Sequence, residues 1–168
     1  MCGGGDITYI STDEGWLFLA VVIDLFSRQV VGWSLRSDMT RDIVIDALRM
    51  AWFKRHPGKH AGLIFHSDRG SQYTSNAVMG LLKKYGIKQS FSRVGMPGDN
   101  AWSESFFANL KKEQVHWRQY KTVEEARDSI FEYIEVFYNR RRVQKRLGYL
   151  SPLQWLKQWQ QLNSELVA

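Results

Sequence analysis

The stretch Trp16-Leu17-Phe18-Leu19-Ala20-Val21-Val22-Ile23 decides the fold. Eight apolar residues in unbroken succession fit neither an amphipathic helix nor a half-exposed strand, and they read as a strand covered on both faces. Behind it, Asp24-Leu25-Phe26-Ser27-Arg28 forms a short turn, and Val30 to Leu35 reads as the return strand of a hairpin. In front of it, Asp6 to Ile10 is short and rich in β-formers. Three strands at such close spacing predict an antiparallel meander.

Downstream the pattern alternates. Thr40 is placed to cap a helix carrying Val44, Ala47, Leu48, Ala51 and Trp52 at helical spacing, stopped by His56-Pro57-Gly58. Leu63 to Phe65 is a fourth strand ending in His66-Ser67-Asp68. Ser75 opens a helix that runs to about Tyr85 and stops at Gly86. Ile87 to Phe91 is a fifth strand, and Gly95-Met96-Pro97-Gly98-Asp99 a loop. A third helix is expected from Ala101 to about His116, capped by Asn100. Thr122 and Glu125 make a capping box. It opens a long helix with Val123, Ala126, Ile130, Ile134 and Phe137 on one stripe. Ser151-Pro152 marks a last helix start. The order predicts an α/β fold: a five-stranded mixed sheet with flanking helices and a C-terminal helical extension.

At 168 residues, with 44% hydrophobic side chains, the chain suits one domain with a real core. Met1-Cys2-Gly3-Gly4-Gly5 has no periodicity and reads as a leader or truncation edge, leaving 6–168 as the domain. The seven tryptophans read mostly as core. The longest apolar run is too short to span a bilayer. The single cysteine, Cys2, excludes an internal disulfide and a structural zinc site of its own. The net charge of +6 allows an anionic partner without demanding one.

Ligands of α/β sheets sit beyond the carboxyl ends of strands. Asp68 is placed there, Asp6 lies on the first strand, and Glu104 falls in the first turn of the third helix. Hard divalent cations take a few oxygen ligands each, so a two-metal phosphoryl-transfer site needs acids converging from separate elements. Taken singly, each acid has a plainer reading: a strand-edge residue, a turn former, and a charge favouring the helix dipole.

Six strings resemble the integrase core of bacterial insertion-sequence transposases of the insertion-sequence-three type, whose catalytic half is similar to retroviral integrase. They are Asp6-Ile7-Thr8-Tyr9-Ile10; Val22 to Arg28; His66-Ser67-Asp68-Arg69-Gly70-Ser71-Gln72-Tyr73; Asp99 to Phe107; Tyr138-Asn139-Arg140-Arg141-Arg142; and Leu147 to Pro152. The 35-residue gap between Asp68 and Glu104 is also the family's. The resemblance implies a ribonuclease-H-like fold and a DDE triad, matched by Asp6, Asp68 and Glu104, that binds two Mg²⁺ or Mn²⁺ ions. It implies metal-dependent DNA strand cleavage and strand transfer without a covalent protein intermediate. The implied partner is double-stranded DNA, as transposon ends and target, handled by a homo-oligomer in the bacterial cytoplasm. A nuclease that cuts without joining and a catalytically silent DNA-binding or assembly module are the competing classes.

The resemblance also sorts the remaining residues. Asp24 is a recurrent acid outside the triad, expected to pair with Ser27 or Arg28. Lys111 lies seven residues, two helical turns, after Glu104 and can reach a phosphate beside the site. Lys112, Arg140, Arg141, Arg142, Lys145 and Arg146 are further candidate DNA contacts, and such contacts would make binding salt-dependent. His66, Gln72 and Tyr73 are expected to have structural or positioning roles. Gly95 to Gly98 resembles the mobile loop of integrases, and Trp102 could stack on an unpaired base. Many relatives carry histidine where this chain has Gln144. Full-length relatives also carry an N-terminal end-recognition region, for which there is no room before Asp6; weak end binding is therefore expected.

Overall fold

Five strands form one mixed sheet in the order β3-β2-β1-β4-β5. The computed structural model describes residues 2–58, 61–93 and 100–165. β1 (Cys2–Thr12), β2 (Gly15–Asp24) and β3 (Val30–Arg36) make the antiparallel meander. β4 (Ile64–Ser67) pairs parallel to β1, and β5 (Lys88–Phe91) parallel to β4.

β2 is buried on both faces, as its apolar run predicts. Leu17, Leu19, Val21 and Ile23 point into one core, shared with α3 (Ala101–Glu113) and α4 (Val123–Phe131). Ala20 and Val22 point into a second core, shared with α1 (Arg41–Arg55) and α2 (Asn76–Lys84). Each such side chain removed from water contributes about 1.5–3 kcal/mol, so the sheet is clamped between two helical layers. Among the described residues no helix is long and apolar enough to cross a membrane.

The glycine segment corrects the reading of residues 1–5 as a leader outside the fold. Gly3, Gly4 and Gly5 pair with Asp24, Ile23 and Val22 on one side, and Cys2, Gly3 and Gly4 pair with Ile64, Phe65 and His66 on the other. Segment 2–5 is therefore part of the central strand. The glycines are there for space. A Cβ on Gly4 would enter the Trp102 indole, and one on Gly5 would enter the Phe65 ring.

Other expectations are corrected by local detail. α4 continues as a π-helical stretch, Glu132–Tyr138, in which Asn139 N–H bonds the carbonyl of Ile134, five residues back, at 3.1 Å. The wider turn moves the inward position from Phe137, which is exposed, to Tyr138, which is buried. It also brings the Asn139 amide inside. There Asn139 accepts from Val30 N–H at 2.9 Å and donates to the Val30 carbonyl at 3.0 Å. Thr40 occupies its cap position without capping; its hydroxyl donates to Asp38 instead. α3 ends at Glu113, and a short 3₁₀ turn, Val115–Trp117, follows. None of the tryptophans is fully buried, and Trp117 is 82% exposed. Ser75, Thr122 and Ser151 do cap, the last opening α5 (Pro152–Glu165).

Candidate active site

The site is built on the β1–β4 register. The last paired row is Gly4 with His66. Asp6 lies two residues further along β1, and Asp68 two residues beyond His66, just past β4. Neighbouring strands lie roughly 4.8 Å apart, so this register puts the two acids side by side at the sheet's end. Asp6 shares its face with Gly4, the face that α3 covers. Trp102 rests on Gly4, and the next residue, Ser103, donates its hydroxyl to Asp6 Oδ2 at 2.7 Å. That bond fixes the start of α3 over β1 and sets Glu104, in the first helical turn, beside the pair.

The remaining hydrogen bonds hold the carboxylates without neutralising them. Ile7 N–H donates to Asp6 Oδ1 at 2.8 Å, and Gly70 N–H donates to Asp68 Oδ1 at 2.9 Å. None of the three acids has an ion pair among the described residues. Burial raises the pKa of Asp6; the bonds from Ser103 and Ile7 oppose the rise, and the charges of Asp68 and Glu104 add to it. Tyr73, buried beneath, is held well above the usual tyrosine range by burial and then by Asp6 and Asp68, so it stays neutral. Among the described residues no three acids stand close enough to hold one metal ion, so the three carboxylates do not close into a ligand cage. Three hard oxygen donors that lack a counter-charge fit a divalent cation of the Mg²⁺ class.

The other candidate residues divide. Asp24, 4% exposed, accepts from Ser27 Oγ at 2.7 Å and from Phe26 N–H at 3.1 Å. Its cation is Arg55 of α1, at 2.9 Å, and not Arg28 as the turn suggested. Lys111 shares a flank of α3 with Glu104, and its ammonium sits 4.6 Å from the Tyr9 ring centroid. Lys112 is exposed.

The cations from Arg140 to Arg146 are divided: Arg140 and Arg141 turn elsewhere, while Arg142, Lys145 and Arg146 line a common groove. Arg140 turns back to the Glu135 carbonyl, Arg141 faces the Glu113 side, and Arg142 makes a two-pronged bond to Glu113, the shorter arm 2.7 Å. Lys145 and Arg146 sit in a separate 3₁₀ turn. His66 is bracketed by Ser90 and Ser92 at 3.1 and 3.2 Å, a structural position. Gln72 donates to the Met39 carbonyl. Asn100 does not cap α3; its Oδ1 accepts from Ser92 at 3.0 Å. The loop from Gly95 to Asp99 lies outside the described residues.

Sequence reading missed Ser103, Tyr9 and Gly4. Ser103 was adjacent to a candidate acid, and alternation along the first strand put Asp6 and Gly4 on one face. Nothing in the sequence marked Tyr9 as the seat of Lys111.

The comparisons with known proteins agree on a kinship. An integrase core domain family model matches residues 4–97, and a second of the same description matches residues 104–159. The chain is 46% identical over 160 residues to the transposase for insertion sequence element IS904 of Lactococcus lactis subsp. lactis, covering 95% of this chain and 61% of that protein. It is 47% identical over 152 residues to transposase InsF for insertion sequence IS3A of Escherichia coli strain K12, covering 90% of this chain and 52% of that protein. The chain thus spans about half to three-fifths of the curated relatives it matches. Among solved structures, the HTLV-2 integrase catalytic core domain in complex with magnesium superposes with a TM-score of 0.64 at 18% identity, covering 91% of this chain and 93% of that one. The catalytic domain of Mos1 mariner transposase gives 0.67 at 16% identity, covering 80% and 70%. At such identities the likeness is one of fold, the ribonuclease-H-like architecture of integrase and transposase catalytic cores.

Proposed function

Because the chain belongs to the integrase core domain family, we propose that it is the catalytic part of an insertion-sequence transposase, cutting DNA strands and joining them by phosphoryl transfer. The observation that carries this reading is the carboxyl of Asp6, set next to Asp68 by the β1–β4 register, tied by Ser103 to the helix that carries Glu104, and without an ion pair among the described residues. In this reading Asp6, Asp68 and Glu104 form a DDE triad that holds two divalent ions, Mg²⁺ or Mn²⁺. Ions bound there supply Lewis-acid polarisation of phosphoryl oxygens and a more acidic attacking water or hydroxyl.

The chain's own residues do the positioning. Ser103 and Ile7 orient the Asp6 carboxylate, and Gly70 N–H orients that of Asp68. Lys111, two turns from Glu104, meets the phosphate of the strand being cut and leaves its seat on Tyr9 to do so. Tyr73 keeps its proton and closes the floor against water. The partner is double-stranded DNA, transposon ends and target, and the active assembly is an oligomer working on DNA in the bacterial cytoplasm.

The test is a cleavage and joining assay on labelled duplex oligonucleotides in Mg²⁺ or Mn²⁺. Nicked product and joined product from the wild type, both lost in Asp68→Asn and Glu104→Gln, are expected. Nicking without joining favours a ribonuclease-H-like nuclease. DNA binding with neither product, and no metal uptake, favours a silent assembly module.

A further inference from the structure

α3 has two wet flanks. Residues two apart on a helix point about 200° apart, so Trp102 and Asn109 face away from Glu104 and Lys111. On their side runs an open groove of about 560 Å³, lined by this flank of α3, the segment Arg142 to Arg146 and Arg28. Four cations line it, Arg28, Arg142, Lys145 and Arg146, and no acid does among the described residues.

The charge there is left open. Arg142 is spent on Glu113. Arg28, Lys145 and Arg146 have no ion pair among the described residues. Burial, and then the neighbouring charge of Arg146, lowers the pKa of Arg28, so two guanidiniums face one space with no counter-charge. One further donor on the walls, Trp102 Nε1, is buried without an acceptor. Arg28 is moreover held at φ 61°, in the left-handed region an arginine rarely adopts. Backbone strain kept at a charged residue is a pointer to function. An anion in this groove would supply the counter-charge that Arg28, Lys145 and Arg146 lack among the described residues.

We propose that the groove binds a backbone phosphate of DNA, from the strand paired with the one at the carboxylates, with Arg28 and Arg146 as its main ligands. This rests on the DNA reading above. A helix with its side chains is about 10–12 Å across, and the major groove of B-form DNA is about 12 Å wide. α3 therefore lies along a groove of the duplex, one strand on its Glu104–Lys111 flank and the other on its Asn109 flank.

The test uses the 168-residue chain and a fluorescein-labelled duplex, with anisotropy read across a salt series. Arg146→Gln and Arg28→Gly should each weaken duplex binding several-fold and flatten the slope of log K against log salt by about 1. Arg28→Gly should meanwhile keep or raise the Tm, because glycine adopts the left-handed region freely. That opposite movement separates a binding role from a structural one. The Mn²⁺-induced rise in Tm should be unchanged in both variants, and binding of a single strand of the same length should weaken less than duplex binding. Unchanged affinity and slope in both variants would overturn the proposal, as would a wild type that takes up Mn²⁺ but binds no duplex. Equal losses for single strand and duplex would overturn the paired-strand assignment. Loss of Mn²⁺ uptake in the wild type would instead strike the catalytic reading beneath it.

Discussion

Asp24, at the end of β2, and Asp6, within the neighbouring β1, are acids held in one sheet with different company. Asp24 is buried and surrounded by partners: the Ser27 hydroxyl, the Phe26 N–H and the Arg55 guanidinium. Asp6 has two donors, no ion pair among the described residues, and two further acids whose charges add to the rise in its pKa. The first arrangement is complete as it stands. The second is complete only with a positive charge added from outside. Asp24 is the more deeply buried of the two, yet the difference that bears on the proposed site is whether the fold supplies the counter-charge.

The largest expected effect falls on the satisfied acid. Arg55→Ala leaves Asp24 buried and unpaired, and should cost about 3 kcal/mol, the low end of the range for broken buried pairs because solvent reaches Arg55. Urea denaturation measures it, and the Mn²⁺-induced Tm rise should survive in the folded fraction. Next comes Gly4→Val. Its side chain would occupy the space of the Trp102 indole, costing about 1–3 kcal/mol by overpacking. Because Trp102 leads into Ser103 and Glu104, this variant, unlike Arg55→Ala, should also lose Mn²⁺ affinity.

Ser103→Ala removes one hydrogen bond to a carboxylate, worth about 1.5–3 kcal/mol at most and less here because Asp6 is partly solvated. It should raise the Asp6 pKa further, so the pH at which Mn²⁺ binding is half-maximal moves upward. Titrations with calorimetric detection read that shift. The smallest effect on stability belongs to Asp6→Asn. A raised folded-state pKa means the native chain holds the Asp6 proton more tightly than the unfolded chain does. The stabilisation this gives is complete below about pH 4, the unfolded aspartate value, and is lost as pH rises through the raised folded value. Asp6→Asn should therefore leave the Tm at neutral pH equal or slightly higher and remove this part of its pH dependence.

Much of the fold was legible because Trp16 to Ile23 reads as a strand covered on both faces, which holds from Leu17 onward, and the strands and helices after it carry ordinary start and stop residues. Gly3 to Gly5 were not legible, because a strand made of glycine carries no side-chain pattern. Its register comes from backbone pairing and from the room it leaves for Trp102 and Phe65. The π turn was invisible for a related reason: a helix-period stripe predicts Phe137 inward, and only the tertiary demand that Asn139 bracket Val30 selects the wider turn. Ser27 or Arg28 is the partner that the turn suggests for Asp24; Ser27 does bond it, but its cation comes from a helix 31 residues away.

The candidate site was legible only in outline. Strand order pointed to Asp68, but spacing alone left Asp6 and Glu104 ambiguous, and the family motifs were needed to join them. Ser103, Tyr9 and the groove beside Asn109 depend on which helix face meets the sheet.

The most direct measurement is calorimetric Mn²⁺ titration of the wild type beside Asp6→Asn, Asp68→Asn, Glu104→Gln and Asp24→Asn, each well below its Tm. The account predicts uptake by the wild type, abolished or strongly weakened by each of the first three changes and retained in Asp24→Asn. Uptake that survives in Asp6→Asn and Glu104→Gln, or is lost in folded Asp24→Asn, would contradict it.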